Sequence, residues 1–219
     1  MYFLKGGCVV TQEQNIDFAK GLLVNSIYKS AILEGINVTC NQVENILNDV
    51  NILSLTPKEM MKILGLRDAW NYLFGTVNYE MNLGYLETLH FFIAIADVPY
   101  YELGKIRTEN VLISGTNWRP ELPSVEKLHS ELKEIMTIDD CTTKAVKLML
   151  WIMRNQIFKD GNKRVATLAA NKILIECGKG LLSVPIELTN TFKIKLVEFY
   201  ETSDSTEIEK FIFENCISS

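Results

Sequence analysis

Between Thr142 and Arg154 apolar side chains fall on nearly every side of a helix: Ala145, Val146, Leu148, Met149, Leu150, Trp151, Ile152 and Met153. A helix without a polar face has to sit inside its domain, with other elements packed around it. This run continues through Asn155-Gln156-Ile157-Phe158-Lys159 into Asp160-Gly161-Asn162-Lys163-Arg164, where a second helix opens. That helix carries Val165, Leu168, Ala169 and Ile173 on one face, and its small residues Ala166 and Ala170 permit close packing. The chain is therefore expected to be built around one buried helix that turns tightly into the next.

The remaining elements read as helices too. Glu13 to Gly35 is predicted to be one helix, with Gly35 suited to the left-handed residue just past its end. Asn41 to Leu53 follows, with Asn41 as its N-cap. Thr56-Pro57 opens a third helix toward Tyr72, because proline fits a first helical turn. Leu83 to Ala96, Ser124 to Met136, Asn190 to Tyr200 and Thr206 to Cys216 complete the set, and Asp139-Asp140 caps the Thr142 helix. Gly104 to Pro123 breaks the rhythm: Asn110-Val111-Leu112-Ile113, then Ser114-Gly115-Thr116-Asn117 and Trp118, reads as a small hairpin. The fold class is all-α with one small β-hairpin.

Composition narrows the function classes. The 219 residues are 47% hydrophobic with a net charge of −5, so a basic nucleic-acid-binding surface is not expected. The opening Met1 to Gly7 is too short in apolar residues for a secretory signal, and no run approaches the roughly 18 needed to span a bilayer. Cys8, Cys40, Cys141, Cys177 and Cys216 show no CxxC pairing and read as reduced thiols. The expected location is cytoplasmic. Asn37-Val38-Thr39 matches a glycosylation acceptor and is read as accidental without such a signal.

The chemistry concentrates at the turn. A Gly-Asn turn opening a helix presents backbone N–H groups that lack intrahelical partners, at the positive end of the helix dipole. Such an end binds anions, and Lys163 and Arg164 add cationic side chains. Asp160 beside them suits a Mg²⁺ that bridges phosphate oxygens. Two readings of residues 160–164 follow: a phosphate site of the kind that binds nucleotides, or a helix-turn-helix junction with solvated charges.

Gln156-Ile157-Phe158-Lys159-Asp160-Gly161-Asn162-Lys163-Arg164 resembles the Fic signature, His-x-Phe-x-Asp/Glu-Gly-Asn-Gly/Lys-Arg, with glutamine in the first position. Gly104 to Trp118 resembles the family's target-docking flap. Leu182-Ser183-Val184-Pro185 before the Asn190 helix also fits. Ser30-Ala31-Ile32-Leu33-Glu34-Gly35 is similar to the family's inhibitory motif, Ser/Thr-x-x-x-Glu-Gly/Asn. The resemblance implies a Fic-type helical bundle, with an N-terminal helical region over 1–100 and a core over 101–219. Its inhibitory helix would lie at about 15–35, its flap at about 104–120 and its signature loop at 156–164.

The resemblance further implies ATP and Mg²⁺ as cofactors and transfer of AMP, or a phosphate-containing group, to a hydroxyl of a protein target. Phe158, Gly161, Asn162, Lys163 and Arg164 would bind nucleotide, and Asp160 would hold the metal. Val111, Leu112 and Ile113 would dock the target, while Ser30, Glu34 and Gly35 would regulate. Three positions depart from the pattern. Gln156 replaces the base that deprotonates the hydroxyl, which a neutral amide cannot do. Lys163 replaces the glycine of most AMP-transferring members and is similar to the Doc-type branch. Thr167 stands where the signature has its second arginine. The alternatives to slow transfer are a nucleotide-binding pseudoenzyme acting as a regulator, or a helical interaction module. A homo-oligomer stays open, and neither nucleic acid nor membrane is an expected partner. His90 is read as a packed helix residue, His129 as exposed, and the three tryptophans as packing.

Overall fold

The computed structural model describes residues 10–218. The opening Met1 to Gly7 and Cys8 therefore lie outside the described residues. The order is α1 (Gln12–Gly21), α2 (Leu23–Leu33), α3 (Cys40–Leu47), α4 (Pro57–Gly75), α5 (Leu83–Ile93), α6 (Val125–Met136), α7 (Cys141–Asn155), α8 (Asn162–Glu176), α9 (Thr189–Thr202) and α10 (Thr206–Asn215). Two-residue strands β1 (Leu181–Leu182) and β2 (Ile217–Ser218) pair antiparallel.

Helices α7 and α8 form the antiparallel centre, joined by residues 156–161. Ala145, Val146, Leu148, Met149, Ile152 and Met153 are fully buried on α7, as are Val165, Ala166, Ala169 and Ala170 on α8. The alanines let the two backbones approach closely, while larger side chains from α4, α5 and α9 fill the periphery. Among the latter, Ile63, Leu86, Leu89, Ile93 and Phe192 have no exposed surface.

Local chemistry sets the helix starts. Thr56 caps α4 in a capping box with Glu59, and Asp140 caps α7 through the N–H of Thr143. Two expectations shift. The Glu13–Gly35 helix is broken at Leu22, which leaves αR geometry, so Ser30 lies in a separate helix, α2, and Glu34 is that helix's C-cap. The next helix is capped two residues earlier than expected, by Thr39 with Gln42 rather than by Asn41, and it ends at Leu47. Thr39 wins because its hydroxyl and the Gln42 amide satisfy each other's backbone N–H groups. After α2, Gly35 takes φ +83° and Ile36 N–H bonds back to Ala31 O, the closing pattern expected of a glycine there.

The flap contains no paired strands; the two-stranded sheet lies elsewhere, between β1 and β2. The expected pairing of Asn110–Ile113 with Trp118 is corrected: side chains hold this segment instead of a ladder. Arg107 donates to the carbonyls of Gln156 (2.5 Å), Glu109 (2.8 Å) and Glu121 (2.5 Å). Trp118 stacks on Tyr200, with ring centroids 5.2 Å apart, and the Arg154 guanidinium lies 4.6 Å from its centroid.

The cysteine reading is corrected as well. Cys141 and Cys177 form a disulfide, with Cα atoms 6.4 Å apart. Two helices of equal length, antiparallel across a tight turn, bring the first residue of α7 beside the residue that follows α8. This bond removes the thiol argument for a reducing compartment. No helix among the described residues is long and apolar enough to cross a membrane.

Candidate functional site

The signature loop is held from within. Gln156 ends α7 in left-handed geometry (φ +46°), and Gly161 opens α8 at φ +79° without a side-chain cap. Asn162 ties the loop to itself: its Oδ1 accepts the Phe158 N–H at 2.9 Å. Its Nδ2 donates to Phe158 O at 2.7 Å and to Gln156 Oε1 at 3.0 Å. Phe158 is fully buried, with its ring stacked on His90. Phe158 and Asn162, expected among the nucleotide contacts, thus build the loop's interior.

Backbone donors remain at the start of α8. The first intrahelical bond of α8 runs from Val165 N–H to Gly161 O, so the N–H groups of Asn162, Lys163 and Arg164 precede the helical ladder. The chain's own carboxylate lies against this end. Glu34 Oε1 is 3.3 Å from Lys163 Nζ, and Glu34 Oε2 is 3.4 Å from Arg164 Nε. Burial opposes the charge on Glu34, but Arg164 and Lys163 outweigh it and hold the carboxyl below its ordinary 4.5. Ser30, one turn earlier, lines a narrow cleft between α2 and α8 with Lys29, Arg164, Thr167 and Ser183. Thr167 spends its hydroxyl on Lys163 O at 2.9 Å.

The two cations differ in freedom. Arg164 has a side chain 1% exposed, donates to Asp97 Oδ2 at 2.7 Å and to Ile93 O at 3.1 Å, and is bound inside the protein. Lys163 is 35% exposed and has Glu34 as its carboxylate partner. Asp160 projects outward, 53% exposed, its Oδ1 accepting the Gly161 N–H at 2.5 Å. No cluster of three or more His, Cys, Asp or Glu among the described residues could hold a metal by itself. The single exposed carboxylate of Asp160 still fits Mg²⁺, which takes few protein ligands and completes its shell with water or phosphate.

Gln156 is 8% exposed and its amide faces inward. Nε2 donates to Met153 O at 2.6 Å and lies 3.3 Å from the Tyr200 hydroxyl, whose pKa burial pushes up. On the flap, Leu112 is 79% exposed while Ile113 and Trp118 pack against the core.

Three contributors escaped the sequence reading as site residues. Asp97 fixes Arg164. Arg107 pins the flap to the carbonyls at the end of α7. His90, correctly read as packed, packs specifically beneath the loop; burial pushes its imidazole down to about 4, so it is neutral. Each acts across a long sequence separation. The one local signal was the Gly-Lys-Ile-Arg run at 104–107.

Residues 80–174 match the Fic/DOC family. Among solved structures, Fic-1 from C. elegans superposes with a TM-score of 0.76 at 19% identity, covering 93% of this chain and 67% of that one. A Fic domain containing signaling protein from Bacteroides thetaiotaomicron VPI-5482 gives 0.70 at 17%, covering 93% and 84%. A Fic family protein from Desulfovibrio desulfuricans G20 gives 0.69 at 15%, covering 97% and 74%. No curated protein matches the sequence. At these identities the solved structures speak for the fold, and the matched segment holds α5, the flap, α7 and the signature loop. Over residues 80–174 the chain is thus similar to the Fic/DOC family, and its fold is shared with solved Fic proteins.

Proposed function

We propose that this chain binds an ATP-type nucleotide with Mg²⁺ at the N-terminus of α8 and transfers AMP, or a phosphoryl group, slowly to a hydroxyl of a protein target. The observation that carries this reading is the Glu34 carboxylate lying on Lys163 and Arg164. A helix end already neutralised by an internal anion is one a phosphate can occupy once that anion withdraws. With Glu34 gone, Lys163 is the cation released, because Arg164 keeps Asp97. Asp160 would hold Mg²⁺, which would neutralise charge on the phosphates. Leu112 and its neighbours have backbone free of strand pairing and suit an extended target segment.

Transfer is slow because the attacking hydroxyl must lose its proton as its oxygen bonds to phosphorus. Gln156 offers no base, and such a loss costs a factor of ~10² to 10⁴. The inward amide of Gln156 favours a second reading, a regulator that binds nucleotide without turning it over. Calorimetric titration with ATP and Mg²⁺ tests the site common to both. Saturable binding, weakened by Asp160→Ala, is expected; a flat titration of the native chain and of a Glu34→Gln variant would remove both readings. Mass spectrometry of lysate proteins after incubation with ATP separates them, since only transfer leaves a modified hydroxyl.

A further inference from the structure

His90 is a buried imidazole to which the proposed chemistry gives no task. Its ring lies flat on Phe158, with centroids 4.1 Å apart and planes 6° from parallel. A Cβ placed on Gly161 would stand 3.8 Å from His90 Cδ2, so the ring supports the signature loop from beneath. Its other edge meets the flap: Nδ1 accepts the N–H of Gly104 at 3.0 Å. An accepting Nδ1 carries no proton, which leaves the ring's proton on Nε2.

Gly104 is shaped for this contact. It adopts φ +70°, and a Cβ there would meet Glu87 O at 3.1 Å and Phe91 Cβ at 3.7 Å. The flap's first residue therefore lies against α5, within reach of His90. Three residues later Arg107 N–H bonds to Ile157 O at 3.0 Å. The flap's start is thus tied to the signature loop directly at Ile157 and through His90 at Phe158.

We propose that His90 is a positioning residue that couples the flap to the signature loop, its ring face seating Phe158 while its Nδ1 fixes the backbone of Gly104. A movement of the loop then tilts the ring and loosens or tightens the flap. The link is a property of the chain without ligand. Its use in telling the target-docking segment that nucleotide is bound rests on the function proposed above.

Two variants of the full chain separate coupling from mere packing. His90→Phe keeps a ring against Phe158 and removes the acceptor. His90→Asn keeps an acceptor close to the Nδ1 position and removes the ring. The readout is amide hydrogen exchange at Gly104 by NMR, with ¹⁵N shifts of the native imidazole. The native ring is expected as the Nε2–H tautomer. Exchange at Gly104 should rise about tenfold or more in His90→Phe, the loss of one hydrogen bond, and stay within a few-fold of native in His90→Asn.

A packing role reverses this order, with His90→Phe native-like and His90→Asn disturbed, and that result would overturn the proposal. So would a protonated Nδ1 in the native chain. Calorimetry with ATP and Mg²⁺ on native protein runs beside it. A flat titration there removes the nucleotide site and leaves Gly104 exchange to judge the coupling. Where ATP binds, it should change flap exchange in the native chain but in neither variant, since His90→Phe lacks the acceptor and His90→Asn lacks the ring.

Discussion

Arg164 donates to Asp97 across 2.7 Å, with both side chains 1% exposed. On its far side Asp97 also meets Lys62 at 2.7 Å, and Glu34 approaches the Nε edge of Arg164 at 3.4 Å. Charges this deep depend on one another, so removing one strands the rest in a medium that solvates them poorly. Asp97→Asn should therefore cost about 3 kcal/mol or more in a urea-unfolding experiment. A cost below about 1 kcal/mol, the usual size for a surface pair, would mean that the pair is solvated.

The same network makes stability acid-sensitive. Burial works against the charge on Asp97 and Glu34, but Arg164 with Lys62 or Lys163 outweighs it, and both carboxyls lie below their ordinary 3.8 and 4.5. The unfolded chain then binds more protons than the folded one as the pH drops, so stability falls with pH. The contribution is complete above those ordinary values and is lost as the pH falls through them toward the folded values. Urea midpoints at successively lower pH should decline more gently in Glu34→Gln than in the native chain. Parallel declines would show that Glu34 has the same affinity for protons in both states.

Glu34→Gln keeps the side chain's shape and removes the charge that faces Lys163. If the carboxylate occupies the place of a phosphate, ATP affinity should rise about tenfold, equivalent to about 1.4 kcal/mol. Calorimetry reads this directly. Unchanged affinity would indicate that nucleotide and Glu34 use different faces of Lys163.

What the sequence revealed depended on distance along the chain. The buried α7, the Gly-Asn turn and the capping Thr56 are local patterns of period or spacing, and they appear where expected. Glu34 was legible through its motif, although its partnership with Lys163 needed the end of α2 to come beside the start of α8. Asp97, Arg107 and His90 were not legible as site residues, because their partners lie 67, 49 and 14 residues away. The flap was read as a hairpin from its apolar run and Gly-Asn turn. Arg107 and Trp118 hold it by side chains, which no alternation of residue types signals. Leu22 interrupts a regular apolar pattern without a proline, so periodicity alone ran straight through the break.

The disulfide closes the α7–α8 hairpin at the end opposite the signature loop. It joins residues 36 apart and so removes much of the unfolded chain's freedom. By loop-closure entropy such a link is worth about 3–4 kcal/mol. Addition of reductant, or Cys141→Ser, should lower the urea midpoint by a corresponding amount. The signature loop should keep its geometry, since Asn162 and Arg107 fix it independently. A native chain indifferent to reductant would mean that the two thiols are not joined in solution.

Gln156 offers the most direct route from binding to chemistry. Its backbone is left-handed and its amide is bonded to Met153 O and Asn162, so the residue now completes the end of α7 instead of facing a substrate. Gln156→His supplies a nitrogen that titrates near neutrality, and Glu34→Gln clears the anion site, so the two changes belong in one chain. Transfer of label to protein, from α-labelled ATP for AMP or γ-labelled ATP for a phosphoryl group, should rise by a factor of ~10² to 10⁴ over the Glu34→Gln single variant. Adding Asp160→Ala should abolish that gain. If label appears equally in both chains, the proton leaves by a route that does not involve residue 156. If it appears in neither while ATP binds, the site holds nucleotide for regulation and the transfer reading fails.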